Sequence, residues 1–109
     1  MRARGIISSV LGLIATTAMA AAADPEQIRR GEALLKTSCA GCHAIGDIGA
    51  SPHSVAPPFR TLSRNYPIEA LEEALAEGIV SGHPDMPEFK FESPDVGAII
   101  AFLKSVQEP

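Results

Sequence analysis

Apolar residues recur every three or four positions in three segments of the chain, and this spacing predicts three amphipathic α-helices. The first is expected to begin after Asp24, whose side chain can cap it, and to run to about Lys36 with Pro25 in its first turn. Its apolar face would be formed by Ile28, Gly31, Leu34 and Leu35. No segment alternates apolar and polar residues as a half-buried strand does, so the pattern predicts an all-α fold.

Two further helices are expected in the C-terminal half of the chain. The second begins near Pro67 and ends at Gly78, because glycine commonly terminates helices. Its apolar stripe comprises Ile68, Leu71, Leu75 and Ile79. The third starts at Ser93 with Pro94 in its first turn. Its buried face comprises Val96, Ile99, Ile100, Leu103 and Val106.

The loops between these helices, residues 46–58 and 81–93, are rich in Gly, Pro, Ser and Asp. They are too long to be simple connections, and ordered loops of this length usually surround something. A chain of 109 residues supports one core, and three helices with few aromatic residues bury little apolar surface. We therefore expect a disulfide, a metal or another group to complete the core.

The N-terminal segment differs in composition from the rest of the chain. Two arginines precede an uncharged apolar run from Ile6 to Ile14, and a stretch rich in alanine follows it. This order predicts a cleaved secretory signal peptide over residues 1–23, which leaves residues 24–109 as one exported domain. A membrane anchor is not expected, because the apolar run is shorter than the roughly 20 residues that a membrane span needs.

The charge of the chain narrows the kinds of partner. The formal net charge is −4, and loss of the two N-terminal arginines makes the mature chain more acidic. Nucleic acid is not an expected partner, because neutralising phosphates requires a basic patch. A protein with a basic docking surface is electrostatically better matched.

The two cysteines of the chain lie in the motif Cys39-Ala40-Gly41-Cys42-His43. This is the spacing of a c-type haem attachment site. Two thiols separated by two residues can form thioether bonds to the two vinyl groups of one haem, while the following residue reaches the iron. The motif predicts one covalent haem c held by Cys39 and Cys42, with His43 as the proximal iron ligand through its neutral imidazole.

Three other interpretations of the cysteine motif remain open. A thioredoxin-like dithiol uses the same spacing, but a βαβ pattern is expected around it. A zinc site would need two more ligands, for which His53 and His83 are the candidates. A structural disulfide suits an exported chain but leaves the position of His43 to chance.

A second axial ligand is needed for a low-spin electron carrier. Met1 and Met19 lie in the predicted signal peptide, so Met86 is the one methionine of the mature chain. A thioether on a Pro- and Gly-rich loop is a suitable soft ligand for haem iron, and His/Met ligation raises the reduction potential. The alternatives are a methionine that fills a gap in the core, or His83 or His53 as the ligand.

Residues 24–109 resemble the small single-haem class I cytochromes c, and bacterial periplasmic members in particular. Four features occur in the order of that family: the helix with Gly31, the CAGCH motif, the segment Ala56-Pro57-Pro58-Phe59, and Met86-Pro87 before a C-terminal helix. The resemblance implies the cytochrome c fold, in which three main helices and long loops wrap around one covalently bound haem. It also implies a periplasmic location.

The resemblance also implies particular contacts. The first and last helices should cross at Gly31 and Phe102, where glycine lets the two backbones approach. The carbonyl of Pro57 should accept a hydrogen bond from the ring of His43, which would fix the tautomer of the ligand. Propionate contacts are expected from Arg60 or Arg64 and from Tyr66.

With both axial positions taken, the protein is expected to relay electrons and not to act as an enzyme. Its expected partners are redox proteins, with a periplasmic dehydrogenase as donor and an oxidase or reductase as acceptor, and we expect a monomer. Two alternatives remain. One is a cytochrome subunit of a dehydrogenase complex, and the other is a ligand-binding or sensor haem protein in which Met86 is easily displaced.

Overall fold

In the part of the chain that the structure describes, the first helix begins at Pro25 and the last ends at Val106. A computed structural model describes residues 5–17, 23–80 and 82–109. These ranges contain three α-helices and two short 3-10 helices, namely α1 (Pro25–Ser38), a 3-10 helix (Phe59–Arg64), a 3-10 turn (Ile68–Ala70), α2 (Leu71–Glu77) and α3 (Ser93–Val106). They contain no β-strand, so the predicted all-α class is confirmed.

Helix α1 begins as predicted and carries the cysteine motif at its end. The side chain of Asp24 accepts a hydrogen bond of 2.9 Å from the backbone N–H of Glu26, and Pro25 opens the first turn. The helix runs two residues beyond Lys36, to Ser38. The N–H of Cys39 still donates to the carbonyl of Leu35 at 2.8 Å, so the first cysteine directly follows the last helical residue.

The predicted second helix is shorter than its apolar stripe suggests. A 3-10 turn occupies residues 68–70, and α2 then ends at Glu77. The next residue, Gly78, has a φ of +117°, which is unfavourable for residues with a side chain. A Cβ atom on Gly78 would lie 2.3 Å from Oε1 of Glu88. Ile79 therefore lies outside the helix, and its N–H donates to the carbonyl of Phe89 at 3.0 Å.

Helix α3 starts at Ser93 as predicted and crosses α1 at very close range. A Cβ atom on Gly31 would lie 2.0 Å from the carbonyl oxygen of Ala98 and 2.9 Å from the Cβ of Phe102. No other residue fits at position 31 unless the two helices separate. Leu35 and Ile99 lie in the interior of the same core, at 2% and 0% exposure.

The core of the described residues is small and apolar. It consists of Leu35, Phe59, Leu62, Ile68, Leu75, Val96, Ile99, Ile100, Phe102 and Leu103, and it contains no buried polar residue among those described. Most of these side chains come from α3 and from the two 3-10 helices. Helices α1 and α3 pack against each other, and α1 contributes Leu35 to this core.

The predicted signal peptide remains a prediction. Residues 5–17 are exposed and have no regular secondary structure, and residues 1–4 and 18–22 lie outside the described part of the chain. Among the helices that are described, none is long and apolar enough to cross a membrane.

Candidate functional site

A cavity of about 270 Å³ opens at the C-terminal end of α1, and we refer to it as the main cavity. Its walls come from three stretches of the chain: the turn after α1, residues 53–57, and residues 83–89. The lining residues are Ser38, Cys39, Gly41, Cys42, His43, His53, Val55, Ala56, Pro57, His83, Asp85, Met86, Pro87 and Phe89. The structure therefore brings Cys39, Cys42, His43 and Met86 to one cavity.

The cysteine motif forms a tight turn that continues from α1. The N–H groups of Cys42 and His43 both donate to the carbonyl of Cys39, at 3.1 and 2.9 Å, and the N–H of Ala40 donates to Leu35. Because the chain curls back on itself, both thiols and the imidazole border the same space. This arrangement is suited to holding one planar group by two covalent bonds and one metal bond.

His43 is held in one tautomer by the backbone of Pro57. Its Nδ1 lies 2.8 Å from the carbonyl oxygen of Pro57, and a carbonyl can only accept, so Nδ1 carries the proton and donates it. Nε2 is then left unprotonated and able to bind a metal. The ring of Phe59 lies against the imidazole, with 4.5 Å between the ring centroids.

Phe59 is itself fixed by contacts that the sequence did not reveal. Its N–H donates to the carbonyl of Ala44 at 2.9 Å, and its carbonyl accepts a hydrogen bond of 2.7 Å from the side-chain amide of Gln107. The same Gln107 side chain also accepts from the N–H of Ser63 at 2.9 Å. The C-terminal residues therefore support the wall against which His43 packs.

The environment of the Cys39 thiol does not suit a reactive dithiol. Burial, together with a smaller contribution from the neighbouring Cys42, raises the pKa of Cys39 to about 11. Redox-active C-x-x-C motifs instead lower the pKa of one cysteine so that a thiolate is present at neutral pH. Both thiols are free in this structure. This favours thiols that become thioethers over a thioredoxin-like pair.

Met86 lies in a loop whose two ends are joined by hydrogen bonds. The N–H of Ile79 donates to Phe89, and the N–H of Phe91 donates to Leu75 at 2.9 Å. At the tip of the loop, the N–H of Met86 donates to the carbonyl of His83 at 3.1 Å. The methionine side chain is partly buried and lines both the main cavity and a smaller adjacent cavity of about 220 Å³.

The expected propionate contacts are placed away from the lining of the main cavity. Arg60 donates to the carboxylate of Glu108 at 3.2 Å and to the carbonyl of Gly49 at 2.7 Å, and Arg64 also pairs with Glu108. Tyr66 packs against the core, and burial raises the pKa of its hydroxyl. The roles of Arg60 and Tyr66 towards a bound group stay predictions.

Several residues of the main cavity escaped the sequence reasoning. Val55 and Phe89 are apolar residues on otherwise polar loops, and this pattern could have indicated that they line an apolar site. Asp85 gave no such signal, because its contact with His53 joins residues that are 32 positions apart. In the described ranges, no group of three His, Cys, Asp or Glu side chains is arranged to hold a metal ion by itself.

The main cavity fits a haem in its donor atoms and in its walls. Two thiols and a neutral imidazole are the groups that attach haem and bind its iron, and most of the other lining side chains are apolar. An all-α chain with such a cavity defines a protein of the c-type cytochrome class.

Comparisons with known proteins identify the family. The chain matches a family model described as cytochrome C oxidase, cbb3-type, subunit III, over residues 26–103. It is also 30% identical over 101 residues to cytochrome c-552 of Bradyrhizobium diazoefficiens, an alignment that covers 93% of this chain and 92% of that protein. No solved structure gives a significant match.

The chain therefore belongs to the cytochrome c family and is a small class I cytochrome c. As a member of that family it carries a covalently bound haem c and transfers electrons to and from redox partners.

Proposed function

We propose that this cytochrome is a periplasmic carrier of single electrons, with His43 and Met86 as the axial ligands of its haem iron. The observation that carries the proposal is that both side chains line the cavity that also contains Cys39 and Cys42. A thioether bond from each cysteine would hold the haem in that cavity.

Different side chains of the protein are proposed to bind different parts of the haem. His43 binds through Nε2, since Pro57 holds the proton on Nδ1, and this hydrogen bond strengthens the imidazole as a ligand. Met86 supplies a soft thioether, which favours the reduced iron and raises the reduction potential. Arg60 and Tyr66, which lie outside the lining of the main cavity, are still the proposed contacts of the propionates.

Bound haem supplies a one-electron couple whose potential depends on its axial ligands and surroundings. The apolar walls of the main cavity disfavour the extra positive charge of the oxidised state, because that charge is poorly solvated there. With both axial positions taken by the protein, no position is left for a substrate. The protein is therefore proposed to relay electrons and not to catalyse a reaction of its own.

Replacement of Met86 tests the ligand set. The Met86→Ala holoprotein should keep its covalent haem, lose the weak long-wavelength absorption band of methionine-bound ferric iron, and have a lower midpoint potential. Val80→Ala is the matched control, because Val80 is an exposed residue at the start of the same loop. A native protein that lacks this band, or whose ferrous form binds carbon monoxide without displacement of a ligand, would contradict the proposal and favour the ligand-binding alternative.

The acidic surface is proposed to guide a basic redox partner. Glu72, Glu73 and Glu77 are exposed on α2, and Glu69 is exposed just before it. Exposed charges act over about 10 Å at 0.1 M salt, so the second-order rate of electron transfer to a basic partner should fall as ionic strength rises. Stopped-flow measurement across a salt series checks this, and a rate that rises with salt would contradict it.

A second candidate is a cytochrome subunit of a larger redox complex. It is favoured by the description of the matching family model as an oxidase subunit. The size of the native protein in a periplasmic extract separates the two candidates, because a free carrier elutes as a monomer. N-terminal sequencing of the same material tests removal of residues 1–23, a segment that lies partly outside the described residues.

A further inference from the structure

His53 is fixed by its backbone to the turn that carries the cysteines. Its N–H donates to the carbonyl of Cys42 at 3.1 Å, and its own carbonyl accepts from the N–H of Ala56 at 3.2 Å. The first bond links His53 to the haem-attachment motif, and the second closes a turn over residues 53–56. The imidazole therefore projects from a well-anchored point on the wall of the main cavity.

The side chain of His53 is oriented by a second pair of contacts. The N–H of Val55 donates to Nδ1 of the imidazole at 3.2 Å, so Nδ1 acts as the acceptor and Nε2 carries the proton. Nε2 lies 3.2 Å from Oδ2 of Asp85 and donates to it. Because the neutral tautomer already provides this donor, the contact does not need a protonated imidazole.

Asp85 directly precedes Met86 at the tip of the loop. The N–H of Met86 is bonded to the carbonyl of His83, so Asp85 and Met86 belong to one tight turn. The hydrogen bond from His53 thus joins two parts of the cavity lining, the cysteine turn and the residue beside the methionine. The ring of His53 also lies 5.7 Å from the ring of His83 in the same loop, so this side chain connects the two halves of the proposed ligand set.

We propose that His53 is a positioning residue that holds Met86 at the iron by tethering Asp85 to the cysteine-bearing turn. This inference rests on the proposed role of Met86 as an axial ligand. The side chains of His53 and Asp85 are 29% and 66% exposed, and exposed pairs shift equilibria by no more than about fivefold. The tether therefore tunes how readily Met86 leaves the iron and contributes little to global stability.

Competition with imidazole measures this effect directly. Imidazole is added to the ferric holoprotein at one fixed pH. The shift of the main haem absorption band reports imidazole binding in every variant, and loss of the long-wavelength band reports displacement of Met86 where that band is present. His53→Ala and Asp85→Ala should each tighten apparent imidazole binding by about threefold. The double variant should do no more than either single one, because both remove the same bond.

Two further variants separate positioning from a general loss of structure. His53→Gln keeps an N–H donor at the equivalent distance and should restore most of the native imidazole affinity. Asp47→Ala removes an exposed acid from the same segment as His53 and should leave that affinity unchanged. The midpoint of global thermal unfolding should be similar in all of these proteins.

The outcomes distinguish this proposal from the proposed function. If the native protein shows the band and Met86→Ala binds imidazole far more tightly, the ligand assignment holds. In that case, unchanged affinity in His53→Ala, additive effects in the double variant, or no rescue by His53→Gln would each overturn the tether alone. If the native protein lacks the band and Met86→Ala binds imidazole as the native protein does, both proposals fail.

Discussion

The two sides of the main cavity are built differently. On the His43 side, the imidazole donates a hydrogen bond to the carbonyl of Pro57 and packs on Phe59. Phe59 begins a 3-10 helix, and its carbonyl accepts a hydrogen bond from Gln107. On the Met86 side, a glycine-containing loop is closed at its base by backbone bonds and is tethered at its tip by an exposed pair. Changes on the first side should therefore cost stability, whereas changes on the second should alter coordination.

The largest loss of stability is expected when the haem, which both sides of the main cavity contact, is not attached. Cys39→Ala combined with Cys42→Ala prevents covalent attachment and leaves a cavity of about 270 Å³ with apolar walls. Without haem, the apolar walls of this open cavity face water, and a domain with so small a core has little stability to offset that loss. We expect a largely unstructured chain by far-UV circular dichroism, and a cooperative helical unfolding transition would contradict this.

The next largest effect should come from the helix crossing that supports the His43 side. Gly31→Ala forces a methyl group against the carbonyl of Ala98, so α1 must move away from α3 at a cost of about 3 kcal/mol. Gly97→Ala is the matched control, because its Cβ would meet only the end of the flexible Gln27 side chain at 3.3 Å. Denaturant unfolding of the two holoproteins checks the difference, and equal loss in both would refute the argument.

A smaller loss of stability is expected when the hydrogen bond from Gln107 to Phe59 is removed. Gln107→Ala removes hydrogen bonds to Phe59 and Leu103 and leaves the N–H of Ser63 without its side-chain acceptor. The free energy of unfolding should fall by about 1–2 kcal/mol. The long-wavelength band should stay unchanged, because the Met86 loop is not touched. A displaced Met86 in this variant would show that the two sides are coupled.

The same division separates what the sequence could predict from what it could not. The starts of α1 and α3, the approach of Gly31 to α3 and the meeting of the motif residues at one cavity follow from local periodicity, caps and a family resemblance. The 3-10 helix at residues 59–64 was not foreseen, since six residues carry no clear helical period. The second helix ends before Gly78 as predicted, but it was expected to begin near Pro67, and residues 68–70 instead form a 3-10 turn ahead of α2.

The contacts made by Gln107 and Asp85 could not be predicted from the sequence for a different reason. Each joins positions that lie more than 30 residues apart, and neither residue belongs to a motif. Such contacts exist only once the helices have brought the loops together, so no local pattern encodes them. The residues proposed to attach the haem, and the Pro57 carbonyl that orients His43, were therefore predictable, whereas the contacts of Gln107 and Asp85 were not.

The smallest expected effect concerns a pair that lies on neither side of the main cavity. Lys104 on α3 donates to the carboxylate of Glu69, and this hydrogen bond is the main reason that the pKa of Glu69 is lowered. A lowered pKa in the folded state means that the pair stabilises the fold above the pKa of the unfolded chain. That contribution is lost as the pH falls through the folded pKa.

Because both side chains are exposed, Glu69→Gln should lower the thermal midpoint only slightly near neutral pH. The difference between the two proteins should vanish in acid, and the long-wavelength band should persist in both. A difference that grows as the pH falls would contradict the assigned direction of the shift.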